Sequence, residues 1–324
     1  MFNQKNKKIF KKGVAFLFIE VYYYVRNQEQ YLLKKAHINH TEDKTMKKTS
    51  KLLALLLIAV MAMGLFTGCG SDEPADDQQG GETEMTTLIM GTSADYAPFE
   101  FMYPDENGDL VYGGIDVYTA EYIADYMGVE LQIENMSFNN LLTSLDKGQF
   151  DIVLADIEAT EDRKLLADFS DPYLTELAPQ FLVKKENAEQ YKTYADFTGK
   201  TIGAQTATTK LNIVNEIPEV NAVALQSVLD LIKEVSYDKV DAILVDGSVA
   251  QQYQATNDDL VALGFDELGT SAEVCIAVQK GDPKGLLPGI NEAIAKLTEE
   301  NKIEEFKAKA NEFADVWQEV SMPE

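Results

Sequence analysis

The stretch FDIVLAD, Phe150–Asp156, has a counterpart later in the chain in VDAILVD, Val240–Asp246. Each is an apolar run of strand length that follows an amphipathic segment and a charged turn, and each ends in an aspartate. Such strands, buried on both faces, belong to parallel sheets covered by helices. The segments around the first run agree. TLIMG from Thr87 reads as a buried strand, and DVYTAEYIADYMG places Val117, Ala120, Ile123, Ala124 and Met127 at helical spacing before Gly128, a natural stop. VELQIENM alternates as a strand does, and SFNNLLTSLDKG reads as a second helix capped by Ser137 and ended at Gly148. The order is β-α-β-α-β. Around the second run the order recurs, with KTIGAQ and NAVAL as strands and SVLDLIKEV as a helix carrying Val228, Leu231, Ile232 and Val235 on one side.

Two similar α/β lobes are therefore expected, rather than one large sheet. In open parallel sheets ligands bind beyond the carboxyl ends of the strands. Asp156 and Asp246 stand at such ends, one per lobe, so a cleft between the lobes brings both carboxylates to one ligand.

Composition limits the chemistry. The 324 residues are 45% hydrophobic and 25% charged, enough for a substantial core and two domains. Residues 1–68 hold 12 of the 28 Lys and Arg and 4 of the 54 Asp and Glu, which leaves 16 basic against 50 acidic residues from Cys69 onward. That balance repels phosphate backbones and argues against a nucleic-acid partner. Both histidines, His37 and His40, precede residue 45, so the body of the chain has none for Ser-His or Cys-His catalysis or for His-ligated zinc. No cofactor and no metal are expected.

The N-terminal region reads as an address. From Met46, a basic start with Lys47, Lys48 and Lys51 leads into the apolar run Leu52–Phe66, then small residues and Cys69. This is signal-peptide layout, with a run too short for a comfortable membrane span. Residues 1–45 are expected to reflect a start assigned too early or a long leader, 46–68 the signal, and 69–86 an acidic, disordered tether.

Arg163 is the only arginine outside the first 68 residues of a chain that otherwise uses lysine. A guanidinium offers a rigid planar fork that takes a carboxylate by two hydrogen bonds, which an ammonium does not. A structural role in an ion-pair network with Asp162 or Asp168 is the plainer alternative.

Taken together, GTSADYAPFEF, GGIDVYTAEYIADYMGV, FDIVLADIEATEDRK, ADFSDPY, GKTIGAQTATT and KVDAILVD resemble, in order and spacing, the bacterial extracellular solute-binding proteins of the amino-acid type, family 3. These are receptors of ATP-driven (ABC) importers. The likeness runs from Thr87 to the C-terminal helices. It implies a two-lobed periplasmic-binding-protein-like fold of type II, each lobe a mostly parallel sheet flanked by helices. Lobe I would comprise 87–178 and 273–324, lobe II 179–272, with hinge crossings near Pro172–Gln180 and Ser271–Ile276 and Cys275 as a buried free thiol beside the returning strand. The N-terminal segment likewise resembles a lipoprotein signal, which implies lipidation at Cys69 and anchorage at the outer face of a Gram-positive-like cell membrane.

The same resemblance assigns roles. Arg163, in the T-x-x-R pattern begun by Thr160, would hold the ligand's α-carboxylate, with help from backbone N–H groups of Thr208 and Thr209 in the turn that starts at Gln205, where Ala207 replaces the common glycine. Asp246 would take the α-ammonium, and Tyr96 and Phe138 would flank the side chain. Ser93 stands where relatives selective for cationic side chains often carry Asp. Asp156 and Glu158 add two carboxylates, so that three acids surround one arginine, and this surplus favours a polar or cationic amino acid. A free amino acid, a membrane permease and its ATPase are the implied partners of a monomeric, non-enzymatic receptor. Two alternatives share the scaffold: a dehydratase-like enzyme with Glu158 or Glu273 as general acid, and a sensing module for a separate partner, since the chain ends after its C-terminal helices with no output domain.

Overall fold

The computed structural model describes residues 85–313. The signal segment, Cys69 and most of the tether lie outside the described residues. Lobe I is built on strands β1 (Thr87–Thr92), β5 (Glu130–Asn135), β6 (Ile152–Val153), β7 (Ala167–Phe169) and β15 (Ala277–Gln279), in the order β5-β1-β6-β15-β7. Between β1 and β5 run a small antiparallel sheet, β2 (Asp95–Tyr96), β3 (Glu100–Pro104) and β4 (Leu110–Gly113), and helix α1 (Ile115–Met127). Lobe II is built on β9 (Gln180–Lys184), β10 (Thr201–Gln205), β11 (Asn221–Leu225), β12 (Ala242–Val245) and β13 (Leu260–Leu263), in the order β11-β10-β12-β9-β13.

The two sheets follow one plan. β1 pairs in parallel with β5 and β6, as β10 does with β11 and β12. The central strand then meets an antiparallel one, β15 in lobe I and β9 in lobe II. The likeness of FDIVLAD and VDAILVD thus marks the same middle position in both sheets. A two-stranded ribbon of β8 (Leu174–Glu176) and β14 (Ala272–Val274) carries the chain out of lobe I and back, so the fold is the two-lobed one with two crossings.

Helices cover the sheets: α2 (Leu141–Asp146), α3 (Glu161–Lys164), α4 (Thr209–Glu216), α5 (Val228–Ser236), α6 (Gly247–Thr256), α7 (Leu287–Glu299) and α8 (Lys302–Phe313). α1 buries Val117, Ala120, Ile123 and Ala124, with Met127 half-buried at its edge, and stops at Gly128 in a left-handed conformation with φ 72°. In α5 the Ser227 hydroxyl accepts from the backbone N–H of Asp230, and Val228, Leu231 and Val235 are buried. The segment expected to form one helix from Ser137 instead opens with a 3-10 turn, Phe138–Asn140, before α2. Ser137 makes no cap, because its hydroxyl is used across the cleft, 3.3 Å from Gln226 Oε1. Cys275 is a buried free thiol between β14 and β15, and burial pushes its pKa up to about 11. Among the described residues no helix is long and apolar enough to cross a membrane.

Candidate functional site

The cleft between the lobes is lined at the carboxyl ends of parallel strands, where open sheets expose backbone and side chains to ligands. Ser93 follows β1, Tyr96 ends β2, Asp156 follows β6, Gln205 ends β10 with Thr208 just beyond it, and Asp246 follows β12. Glu100, Phe138, Ala155, Arg163 and Lys210 complete the lining.

Local structure aims Arg163. Thr160 is the cap of α3, its hydroxyl accepting from the Arg163 backbone N–H at 3.3 Å, so T-x-x-R fixes the arginine one turn from the cap. The guanidinium carbon stands 5.3 Å from the centre of the Phe138 ring. One terminal nitrogen donates to the carbonyl of Glu158 (3.0 Å), the other to that of Ala207 in lobe II (3.3 Å). Asp168, offered as a structural partner for Arg163, is occupied by Lys280 and the backbone N–H of Gly281 (2.5 and 2.7 Å). The arginine therefore presents its fork to neutral carbonyls at the cleft.

Opposite, Asp246 precedes α6, whose first residue is Gly247. A Cβ at Gly247 would stand 2.5 Å from the carbonyl oxygen of Ala178, so only glycine lets this helix start press on the chain leaving the ribbon. Asp246 Oδ2 accepts from the Tyr96 hydroxyl (2.7 Å), which itself accepts from the Asp246 backbone N–H (3.1 Å), a link between the lobes. The same Oδ2 lies 2.5 Å from Lys210 Nζ, which is also 3.0 Å from Glu158 Oε1. Thr209 Oγ1 donates to that Glu158 oxygen (3.1 Å). Gln205 Nε2 donates to the carbonyl of Gln226 (3.0 Å) and the Ser93 hydroxyl to Asp95 (3.2 Å).

In the turn after β10, Ala207 is held at φ 66°, the left-handed region where glycine is at ease and alanine costs about 1–2 kcal/mol. Thr208 caps α4, accepting from the Leu211 N–H (3.2 Å), while its own N–H makes a long bond to Gln205 O (3.4 Å). Thr209 opens α4, whose first-turn N–H groups have no acceptor within the helix and suit an anion.

Eight of the ten ligand-binding residues expected from the sequence line the cleft; Glu158 and Thr209 stand beside it, Glu158 holding Lys210 and Thr209 donating to Glu158. Three lining residues were missed, Lys210, Glu100 and Ala155. Lys210 and Glu100 correct the charge count, since four acids (Glu100, Asp156, Glu158 and Asp246) face two cations rather than three facing one. Ion pairing with Lys210 also lowers Glu158 below the usual carboxylate range despite its burial, which keeps it ionised and unsuited to donate a proton. Glu273, the other acid offered for an enzyme, is exposed on the ribbon. Asp156 sits at φ 44°, buried, and neither of its carboxylate oxygens has a hydrogen-bond partner; desolvation, then the nearby charge of Asp246, raises its pKa well above normal.

Two lobes, a ribbon of two crossings and a cleft with an arginine on one side and an aspartate on the other describe a two-lobed binding protein with its site between the lobes. Residues 88–312 match the family described as bacterial extracellular solute-binding proteins, family 3, and the chain belongs to it. It is 32% identical over 259 residues to the arginine-binding extracellular protein ArtP of Bacillus subtilis, covering 79% of this chain and 96% of that protein. It is 31% identical over 258 residues to the L-cystine-binding protein TcyJ of Escherichia coli, covering 78% and 93%. Among solved structures, an amino acid ABC transporter substrate-binding protein from Streptococcus pneumoniae bound to L-arginine superimposes with a TM-score of 0.65 at 34% identity, covering 72% of this chain and 95% of that one.

Proposed function

We propose that this chain is the substrate-binding lipoprotein of an amino-acid ABC importer, which captures a polar or cationic L-amino acid by closing its lobes and delivers it to a membrane permease. The observation that carries this reading is the facing of Arg163 and Asp246 across one cleft, an α-carboxylate fork and an α-ammonium acceptor on opposite lobes. A ligand that bridges the two stabilises the closed form and shifts the population toward it. The amino-acid ligands named for ArtP, TcyJ and the Streptococcus structure support the same class. In this reading 87–178 with 273–324 and 179–272 move as the two lobes, and Cys69 carries the lipid that holds the protein at the outer face of the membrane. No bond is made or broken.

The test is a melting series. The purified protein is stripped of carried-over ligand by unfolding and refolding, then melted with each natural amino acid and ornithine. A ligand at about a hundred times its dissociation constant adds about 2.7 kcal/mol of stability, a readily measured shift. A selective shift is expected; no shift with any amino acid would overturn the reading.

A further inference from the structure

Among the described residues, only one cation of the cleft is paired with its acids. Lys210 spans Asp246 and Glu158, and Arg163 rests on carbonyls beside Phe138. Asp156 is left on the same wall with both oxygens unpartnered at 6% exposure. Next to it Glu100, also lining the cleft and 1% exposed, has no donor at either oxygen. Behind them Asp116 is satisfied, accepting from the Tyr173 hydroxyl (2.6 Å) and the Asp156 backbone N–H (2.8 Å). A hydrogen bond between Glu100 and Asp116 requires a proton on one of the two carboxyl groups. Buried acids without partners are costly to keep ionised, and an unpaired one facing a ligand cleft marks a place where a cation completes the site.

We propose, resting on the amino-acid receptor reading above, that Asp156 with Glu100 beside it is the subsite for the cationic end of the ligand's side chain. The cleft thereby selects an amino acid ending in a guanidinium or an ammonium.

A consequence is proton exchange. The groups that face Asp156 are Asp246, Glu176, Asp116 and Glu100, the cations Lys210 and Arg163, and the phenols Tyr96 and Tyr173. Acids outnumber cations, and burial favours the protonated form of Asp156. A ligand cation beside it favours the carboxylate, so the proton leaves to buffer as the ligand enters, and affinity for that ligand rises with pH. A neutral side chain asks for no such exchange.

The experiment is calorimetric titration with L-arginine, L-lysine and L-glutamine, in two buffers of different ionisation heat near neutral pH. The cationic ligands are expected to bind with release of up to about one proton, glutamine with none. In Asp156→Asn, the ratio of arginine to glutamine affinity should fall about tenfold or more, with the proton lost from the arginine reaction. Asn and Gly both accept the left-handed backbone here, so Asp156→Gly provides a second variant should the first fold poorly. Glu100→Gln should lower the same ratio by less. An unchanged ratio in both Asp156 variants, or arginine binding without proton release, would overturn the proposal. Binding of neutral amino acids alone would overturn it and leave the receptor reading standing; binding of none would overturn both.

Discussion

Lys210 Nζ lies 2.5 Å from Asp246 Oδ2 and 3.0 Å from Glu158 Oε1, so one lobe II ammonium joins an acid of its own lobe to an acid of the other. It occupies the acceptor to which the proposed ligand's α-ammonium would also bind. Replacing it by methionine removes the ion pair of buried Asp246 and of half-buried Glu158, a defect that costs about 3 kcal/mol or more. Lys210→Met should therefore lower the melting temperature of the ligand-free protein and enlarge the rise produced by a bound amino acid. A melting curve unchanged from wild type would show that Lys210 holds nothing.

Arg163 differs from a lysine by its fork. Arg163→Lys keeps the charge but gives up one of two charge-assisted hydrogen bonds, each worth about 1.5–3 kcal/mol. Affinity for the preferred amino acid should fall about 10- to 100-fold by calorimetry, with the melting temperature of the ligand-free protein near that of wild type. A large loss of stability with intact affinity would return Arg163 to a structural role.

Ala207 sits in a left-handed conformation at φ 66°. Ala207→Gly removes about 1–2 kcal/mol of strain and adds about 0.4–1 kcal/mol of unfolded-state entropy. The net expectation is a gain between about zero and about 1.6 kcal/mol in chemical denaturation, and a clear loss would contradict the strain.

Burial raises Asp95 from its usual 3.8 to about 6 and Glu176 from 4.5 to about 7. Asp95 Oδ2 accepts from the Val228 N–H at the start of α5, and Glu176 in the ribbon accepts from the Ser248 N–H and hydroxyl beside Asp246. Between the unfolded and folded values the folded state binds more protons. Their stability contribution is complete below the unfolded values and is lost as pH rises through about 6 and 7. Melting temperature should fall between about pH 5 and about pH 8, and Glu176→Gln should flatten that fall. A melting temperature that rises over this range would contradict the assignment.

The parts of the fold legible in the sequence were those with a strong period or stop signal. The buried strands at 150–156 and 240–246 mark the middle of each sheet, and Gly128 ends α1 as its position suggests. Arg163 could be singled out because arginine is rare in this chain. Ser137 was misread because a serine before an apolar segment looks like a cap, whereas its partner lies across the cleft in Gln226, which no local pattern reveals. Lys210 was not singled out in the sequence. The signal was present, since a cation in the first turn of a helix opposes the dipole and needs an acid nearby. Glu100 carried a similar signal, a lone charge in the apolar run APFEFMY.

The central claim is that one cleft grips the two charged ends of an amino acid, the carboxylate at Arg163 and the ammonium at Asp246. The most direct test is a calorimetric comparison of the amino acid that gives the largest melting shift with its α-amide, which lacks the carboxylate and keeps the ammonium and side chain. The account predicts that the amide binds about a hundredfold more weakly, and that Arg163→Lys narrows the gap. An amide that binds the wild-type protein as tightly as the acid would contradict it.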